Sequence, residues 1–297
     1  MSIIIIILKV IYLYLIFNII FLLTKRKITR HPYDIFYYNR TFIESHRGIN
    51  REIFENTIES FSKAIFYNIE SLETDVWITK DYVPVIVHGW GQKGNLLGTY
   101  NIPENITNLS YEEVLQLKTV KHNLQMPKLS DTLRLAKNKI FLNLELKDPR
   151  IDLAFPYIMK LIEDYDFFNQ IVLSSFHHEY FGKIQEYNQK NNRSLIFGFL
   201  YNRFMSEFFN YSNPGSSLNI YWADASKKVC DRAHENGMAV LVWFEMDEEE
   251  TTEIYDILID NGVDIICSNY PKFARKYIKY KKRHKINNNI LEDYIFK

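Results

Sequence analysis

Two patterns of apolar positions divide the chain. From Ile3 to Leu23 nearly every residue is apolar, with Lys9 and Asn18 as interruptions, and a run of that length matches what a helix needs to cross a bilayer. From about residue 40 the pattern changes to short β-branched runs alternating with stretches of helical period, the beat of a parallel α/β fold. Thr41–His46, Ser71–Ile78, Ile140–Lys147, Gln170–Phe176, Ser194–Leu200, Asn219–Ala225, Met238–Glu245 and Val263–Ser268 read as strands. Eight strands of this kind close a TIM-type (β/α)8 barrel, although a doubly wound sheet would use much the same pattern.

Helical periodicity predicts helices over Asn56–Tyr67, Leu129–Lys137, Leu153–Tyr165, Glu179–Lys190, Arg203–Phe209, Ser226–Glu235, Glu248–Asp260 and Pro271 to about Tyr280. Asn236-Gly237 and Asn261-Gly262 end two of them with residues suited to left-handed C-caps. Residues 83–124 have no place in a simple βα beat and read as a small insertion after the second strand. The expected organisation is an N-terminal anchor with its basic flank over 1–30, a barrel over 40–280 and a polar, Asn-rich tail over 281–297.

The apolar N-terminus has two readings. A cleaved signal peptide would have a basic start and a small-residue cleavage site, and neither is present, so a single-pass transmembrane anchor is the expectation. Lys25, Arg26, Lys27 and Arg30 follow the run, and by the positive-inside rule they place the barrel on the cytoplasmic side of its membrane. Sequons at Asn39, Asn105 and Asn210 do not decide the side, because a chain so rich in Asn generates them by chance.

Composition narrows the function. Charges balance at 36 basic and 36 acidic residues, so no global field draws in polyanions and nucleic-acid binding is set aside. The two cysteines, Cys230 and Cys267, form neither a disulfide framework nor a zinc ribbon.

The chemistry-bearing residues fall at strand ends, where a barrel builds its active site. Glu73 and Asp75 are two apart in one strand and so share a face, half of a hard-cation site. In "FLNLELKDP" the same alternation separates Leu142, Leu144 and Leu146 from Asn143, Glu145 and Lys147. A carboxylate and an ammonium turned into a lumen are costly without partners, and a divalent cation and a phosphate would supply both. Carboxylates without cysteine favour Mg2+, Ca2+ or Mn2+ over zinc. His46 ends the first strand and leads into Arg47-Gly48, a guanidinium fork beside a flexible turn. His88 ends "VPVIVH", and two histidines across a phosphodiester can serve as base and acid.

These residues, "HRG", "ENT", "ETDVWITKD" and "PVIVH", followed in order by "MPKLSDTL", "LNLELK", "SSF", "VWFE" and "GVDIICSNYP", resemble the glycerophosphodiester phosphodiesterase family over roughly residues 42–275. The resemblance implies a TIM-type barrel that hydrolyses glycerophosphodiesters to an alcohol and glycerol 3-phosphate. For membrane-associated relatives it implies hydrolysis of lysophospholipids in a phospholipase D manner. It also implies His46 and His88 as the catalytic pair, and Glu73, Asp75 and Glu145 as ligands of one divalent cation, Mg2+ or Ca2+ with Mn2+ as a third candidate. Arg47 and Lys147 match phosphate-contacting positions, and Trp243 an aromatic at the pocket mouth. The chain departs from the family pattern in having His88-Gly89 for His-Asp, Phe54 for Pro, Asn68 for Gly, and Ser268-Asn269 for Thr-Asp.

Blander readings stand beside these. Glu145 and Lys147 also suit an internal ion pair, Asn56 and Thr57 a helix cap, and Trp243 a core position. His122 and His234 look incidental, and His177 with His178 suit surface or helix-start roles. A second functional class is a membrane-tethered barrel that binds phospholipid head groups with weak or no catalysis, kept open by Gly89. A third, a cyclising phospholipase, shares the barrel and the histidine pair.

Overall fold

The computed structural model describes residues 41–284. The apolar run at 3–23, its basic flank and the tail beyond 284 lie outside the described residues. Among the described residues, no helix is long and apolar enough to cross a membrane.

The chain enters at β1 (Phe42–His46), crosses α1 (Ile58–Phe66) and returns through β2 (Ser71–Ile78). Thr57 caps α1 by accepting from the Ser60 amide, and its extended φ marks where the helix begins. β3 (Pro84–Ile86) folds back antiparallel on β2, with Val76 opposite Ile86. Short helices α2 (Leu97–Tyr100) and α3 (Tyr111–Val114) follow before α4 (Leu129–Ala136) and β4 (Phe141–Leu146) resume the βα beat. The remaining units are α5 (Ile151–Asp164), β5 (Ile171–Ser175), α6 (Tyr180–Asn191), β6 (Ile196–Leu200), β7 (Ser217–Tyr221), α7 (Lys227–Glu235), β8 (Ala239–Trp243), α8 (Thr252–Asn261), β9 (Ile265–Ser268) and α9 (Pro271–His284).

Leaving β3 aside, the strands pair in parallel in the order β1-β2-β4-β5-β6-β7-β8-β9, and β9 closes back on β1 with Phe42 opposite Ile265. The sheet is therefore the closed TIM-type barrel, and the doubly wound alternative is excluded. Side-chain alternation splits the apolar residues between two cores. Leu72, Leu142, Leu144, Leu146 and Leu173 face outward and pack with the helices in the main core. Phe42, Val172, Ile196, Leu241, Ile265 and Cys267 plug the lumen.

Above that plug lies a polar tier. Glu44 accepts from Ser71 (2.7 Å) and Asn143 (2.9 Å), and Asn143 in turn accepts from Ser174 (2.8 Å). The segment between β2 and β4 carries an apolar cluster of its own, built on Trp77, Val85, Val87, Leu96, Tyr100, Ile106, Val114 and Met126. It stands over one side of the barrel mouth.

Four expectations are corrected. No α-helix forms over Arg203–Phe209; the stretch contains a single 3-10 turn, Ser206–Phe208. Its aromatic spacing serves a packed loop instead, with Phe209 and Tyr211 buried in the main core and the Asn210 amide bonded to Tyr201 Oη. β7 begins at Ser217 rather than Asn219 and ends at Tyr221, because Ser217 and Asn219 belong to the polar lumen and Trp222–Asp224 already turns. The helix expected from Glu248 begins at Thr252, where Thr251 caps it. At the other end of the fold α9 runs on to His284, beyond the expected Tyr280.

Candidate active site

The strand ends gather His46, Glu73, Asp75, Asn143 and Glu145, because register sets them side by side. His46 pairs with Glu73, Glu73 with Asn143 and Asp75 with Glu145 across β1, β2 and β4. All are buried. His46, Glu73, Asn143 and Glu145 line a cavity of about 940 Å³ at the barrel mouth, shared with Arg47, His88 and Lys147, while Asp75 is fully buried behind that lining. Phe176, Leu200 and Trp243 form an apolar wall of the same cavity, Phe176 meeting Trp243 edge to face at 6.3 Å.

Glu73, Asp75 and Glu145 bring carboxylate oxygens within 4.8 Å of one another. Glu73 Oε1 and Asp75 Oδ1 are buried without a hydrogen-bond partner, an arrangement that costs free energy unless a cation receives them. Three carboxylates with no thiolate or imidazole suit a hard divalent ion, so the residues present fit Mg2+, Ca2+ or Mn2+.

The cations beside them account for only part of this negative charge. Lys147 Nζ lies 3.1 Å from Glu145 Oε1 and 3.6 Å from Asp75 Oδ1. Arg47 Nε lies 3.2 Å from Asp75 Oδ2, close enough to pair by charge without the alignment of a hydrogen bond, and Arg47 Nη1 pairs with Glu55 at 3.1 Å. Burial alone would raise the Asp75 carboxyl, but Arg47 and Lys147 outweigh it and hold the group well below the usual carboxylate range. Burial, with Asp75 close by, pushes Glu73 well up. Burial also raises Glu145, against the pull of Lys147. One ionised acid beside two that resist ionisation is the electrostatic state that a divalent cation relieves.

Both histidines are held neutral. Burial, reinforced by the Arg47 charge, takes His46 down to about 3, and the same two causes lower His88 well below its ordinary value. Their settings differ. His46 Nδ1 bonds to Asn269 Oδ1 at 2.8 Å, whereas His88 Nδ1 is buried and unpaired. The His88 ring instead meets Trp90 edge to face at 4.5 Å.

The backbone around the site is strained at named positions. Arg47 and Asn56 sit at φ +54° and +55°, a region costing a non-glycine residue of order 1–3 kcal/mol. Gly48, at φ +88°, has Ser60 Oγ only 2.2 Å from where a Cβ would stand. No side chain fits there, and the turn that aims Arg47 depends on that glycine. Gly89 has φ +57°, and a Cβ on it would come within 2.8 Å of Gly94 Cα. The residue replacing the family's Asp is thus packed against the insertion's own backbone. Asn68, standing for Gly, adopts φ +53°, a conformation Asn tolerates.

Several residues escaped the sequence reading. Asn56 is no helix cap: its Nδ2 donates to Asp75 Oδ2 at 2.8 Å and its Oδ1 accepts from Thr74, orienting the Asp75 carboxylate. Its positive φ was the one local clue, and only the fold reveals it. Glu55 pairs with Arg47, and His122, taken as incidental, lines the cavity and accepts from the Phe54 amide. Glu250, placed by periodicity in a helix, is buried against Ser268 and Asn269. Of the other histidines, His178 bonds to the Leu200 carbonyl and His234 to Asp264.

A closed parallel barrel with buried acids, two cations and two neutral imidazoles at its strand ends defines the class of phosphoric diester hydrolases. The model of the glycerophosphoryl diester phosphodiesterase family matches residues 46–273, and the chain belongs to that family. It is 26% identical over 246 residues to a glycerophosphodiester phosphodiesterase of Caldanaerobacter subterraneus, covering 78% of this chain and 96% of that one. Among solved structures it is similar to an Oleispira antarctica phosphodiesterase in complex with the product sn-glycerol-3-phosphate, with TM-score 0.67 and 19% identity over 84% of this chain and 99% of that one. A glycerophosphodiester phosphodiesterase from Parabacteroides distasonis superimposes with TM-score 0.64 at 20% identity, over 82% of this chain and 98% of that one.

Proposed function

We propose that the barrel hydrolyses glycerophosphodiesters in a reaction dependent on one divalent cation, releasing glycerol 3-phosphate and an alcohol. The observation that carries this reading is the buried carboxylate cluster with two oxygens that lack hydrogen-bond partners, flanked by Arg47 and Lys147 and faced by His46 and His88. The product seen in the Oleispira relative supports the substrate class.

Glu73, Asp75 and Glu145 would hold the ion, whose charge would supply polarisation of the phosphoryl oxygens and a lowered pKa for a nearby hydroxyl. Asn56 keeps Asp75 turned toward it. Arg47 and Lys147 neutralise charge developing on the phosphate. One neutral imidazole accepts the proton of the attacking oxygen as the new P–O bond forms, and the other, brought to its protonated form by the negative phosphate of the bound substrate, donates its extra proton to the departing alkoxide as the old bond breaks. Glu55 holds the Arg47 fork in place, and Trp243 closes the pocket mouth.

The same bond in lysophospholipids is a second substrate, cleaved in the phospholipase D manner. The wall of Phe176, Leu200 and Trp243 favours it, because it offers apolar surface beside the polar centre. The run at 3–23 anchors the enzyme in a membrane with the barrel on the cytoplasmic side, as its length and basic flank imply.

The test is turnover of glycerophosphocholine and lysophosphatidylcholine by the wild type and by Glu145→Ala. The variant loses at least about 10³-fold in kcat while keeping its melting temperature, since catalysis here rests on preorganised charge. Undiminished turnover in the folded variant contradicts the assignment. A folded wild type that turns over neither substrate favours the head-group binding module.

A further inference from the structure

We propose that Asn269 is the positioning residue that fixes His46 in the tautomer carrying its proton on Nδ1, delivering Nε2 to the cavity as a bare proton acceptor. The inference rests on the reading of His46 as a proton-transfer group and assigns it the base.

The tautomer follows from a chain of partners whose chemistry leaves no choice. Asn269 Nδ2 lies 2.8 Å from the Glu245 carbonyl oxygen, which can only accept, so the amide nitrogen must point there. Asn269 Oδ1 then points at His46 Nδ1, 2.8 Å away. An amide oxygen can only accept, so Nδ1 carries the hydrogen. Asn50 closes the alternative: its Nδ2 donates to the His46 carbonyl at 2.8 Å and to Asn269 Oδ1 at 3.0 Å. A flipped Asn269 would set two amino groups against each other. With Nδ1 committed, Nε2 keeps its lone pair on the cavity side, 3.9 Å from Glu73 Oε2.

Asn269 is itself clamped. Its backbone amide donates to Glu250 Oε1 at 2.6 Å, while Glu250 Oε2 accepts from Ser268 Oγ and from Tyr255 Oη. The end of β9 is therefore held from behind, and side-chain freedom at 269 is spent on one orientation. A carboxylate at this position, as in the resembling family's closing motif, would also accept from Nδ1 but could not donate to Glu245. The amide does both, and so its own orientation and the tautomer are set together. Such partners of a functional histidine fix ring orientation, and losing one costs about 10–100-fold in activity.

The full-length protein labelled with 15N-histidine gives the tautomer directly from two-bond 1H–15N correlations, with His46→Gln identifying the signal. Wild type shows the Nδ1–H pattern without any substrate. Asn269→Leu shows mixed tautomers, with kcat down about 10–100-fold and KM within about threefold. Asn269→Asp, which keeps the acceptor, restores the Nδ1–H pattern and most of kcat. An Nε2–H pattern in the wild type overturns the proposal, and so does an unchanged pattern and kcat in a folded Asn269→Leu. Because the spectrum needs neither substrate nor turnover, a wild type inactive on glycerophosphodiesters would sink the functional reading while the tautomer is still decided.

Discussion

The two histidines face the same cavity from opposite kinds of structure. His46 is the last residue of β1, part of the closed barrel, and a relay from Glu250 through Asn269 grips its ring. His88 lies just past β3, on the antiparallel flap that leads into residues 89–124. Its Nδ1 has no partner, and its ring is steadied by Trp90, itself 60% exposed. One imidazole is thus built into the scaffold and the other is carried by an appended piece with a small core of its own. Groups on barrel strands inherit the rigidity of the sheet, whereas groups on loops depend on what packs around them. Under the proposed mechanism, the difference sets the two roles. A ring with a fixed tautomer is prepared to accept a proton, and a ring with a free Nδ1 can reorient to deliver one.

The comparison breaks if the two alanine variants behave alike. Both His46→Ala and His88→Ala lose about 10²–10⁴-fold in kcat, the range for removing a positioned acid or base. They part company in stability. His46→Ala leaves Asn269 Oδ1 with only the Asn50 amide and costs about 0.5–1.5 kcal/mol, the net worth of the lost hydrogen bond. His88→Ala removes no hydrogen bond of its Nδ1 and leaves the denaturation midpoint nearly unchanged. Urea unfolding of the two variants side by side reads this directly. Equal losses of stability would mean that the Asn269 contact stabilises nothing.

A smaller effect sharpens the His88 side. Gly89→Asp restores the residue type of the resembling family, but it places a Cβ 2.8 Å from Gly94 Cα at φ +57°. It is expected to cost about 1–3 kcal/mol in stability and to leave kcat no higher than wild type, by the same unfolding assay and a single turnover measurement. A gain in kcat would show that the flap near His88 is loose enough to accept the acid.

What the sequence made legible was whatever period-two alternation controls. It placed Glu73 with Asp75, and Glu145 with Lys147, on the lumen face, and the leucines of β4 on the other face, as the structure shows. It also found the eight barrel strands, though it started β7 two residues late, where the lumen is lined by Ser217 and Asn219 rather than apolar groups, and ran it past its end at Tyr221. Partnerships across long stretches of chain stayed hidden. Asn269 meets His46 across 223 residues, and nothing in a local pattern tells a strand-end amide that grips a histidine from one that caps a turn. Asn56 and Glu250 were assigned to helix starts for the same reason: polar residues before a helix suit a cap, and only the closed barrel brings Asp75 and Asn269 up to them. The Arg203–Phe209 stretch failed differently, because Phe204 and Phe208 obey helical spacing yet stay exposed, and only Phe209 of its aromatics packs in the core.

The most direct measurement is release of glycerol 3-phosphate from glycerophosphocholine by the wild type, stripped with chelator and then titrated with Mg2+, Ca2+ and Mn2+ in turn. Turnover should vanish on stripping, return with at least one of these ions, and fail to return in Glu145→Ala. Full turnover in the stripped enzyme would contradict the cation-dependent site proposed at Glu73, Asp75 and Glu145.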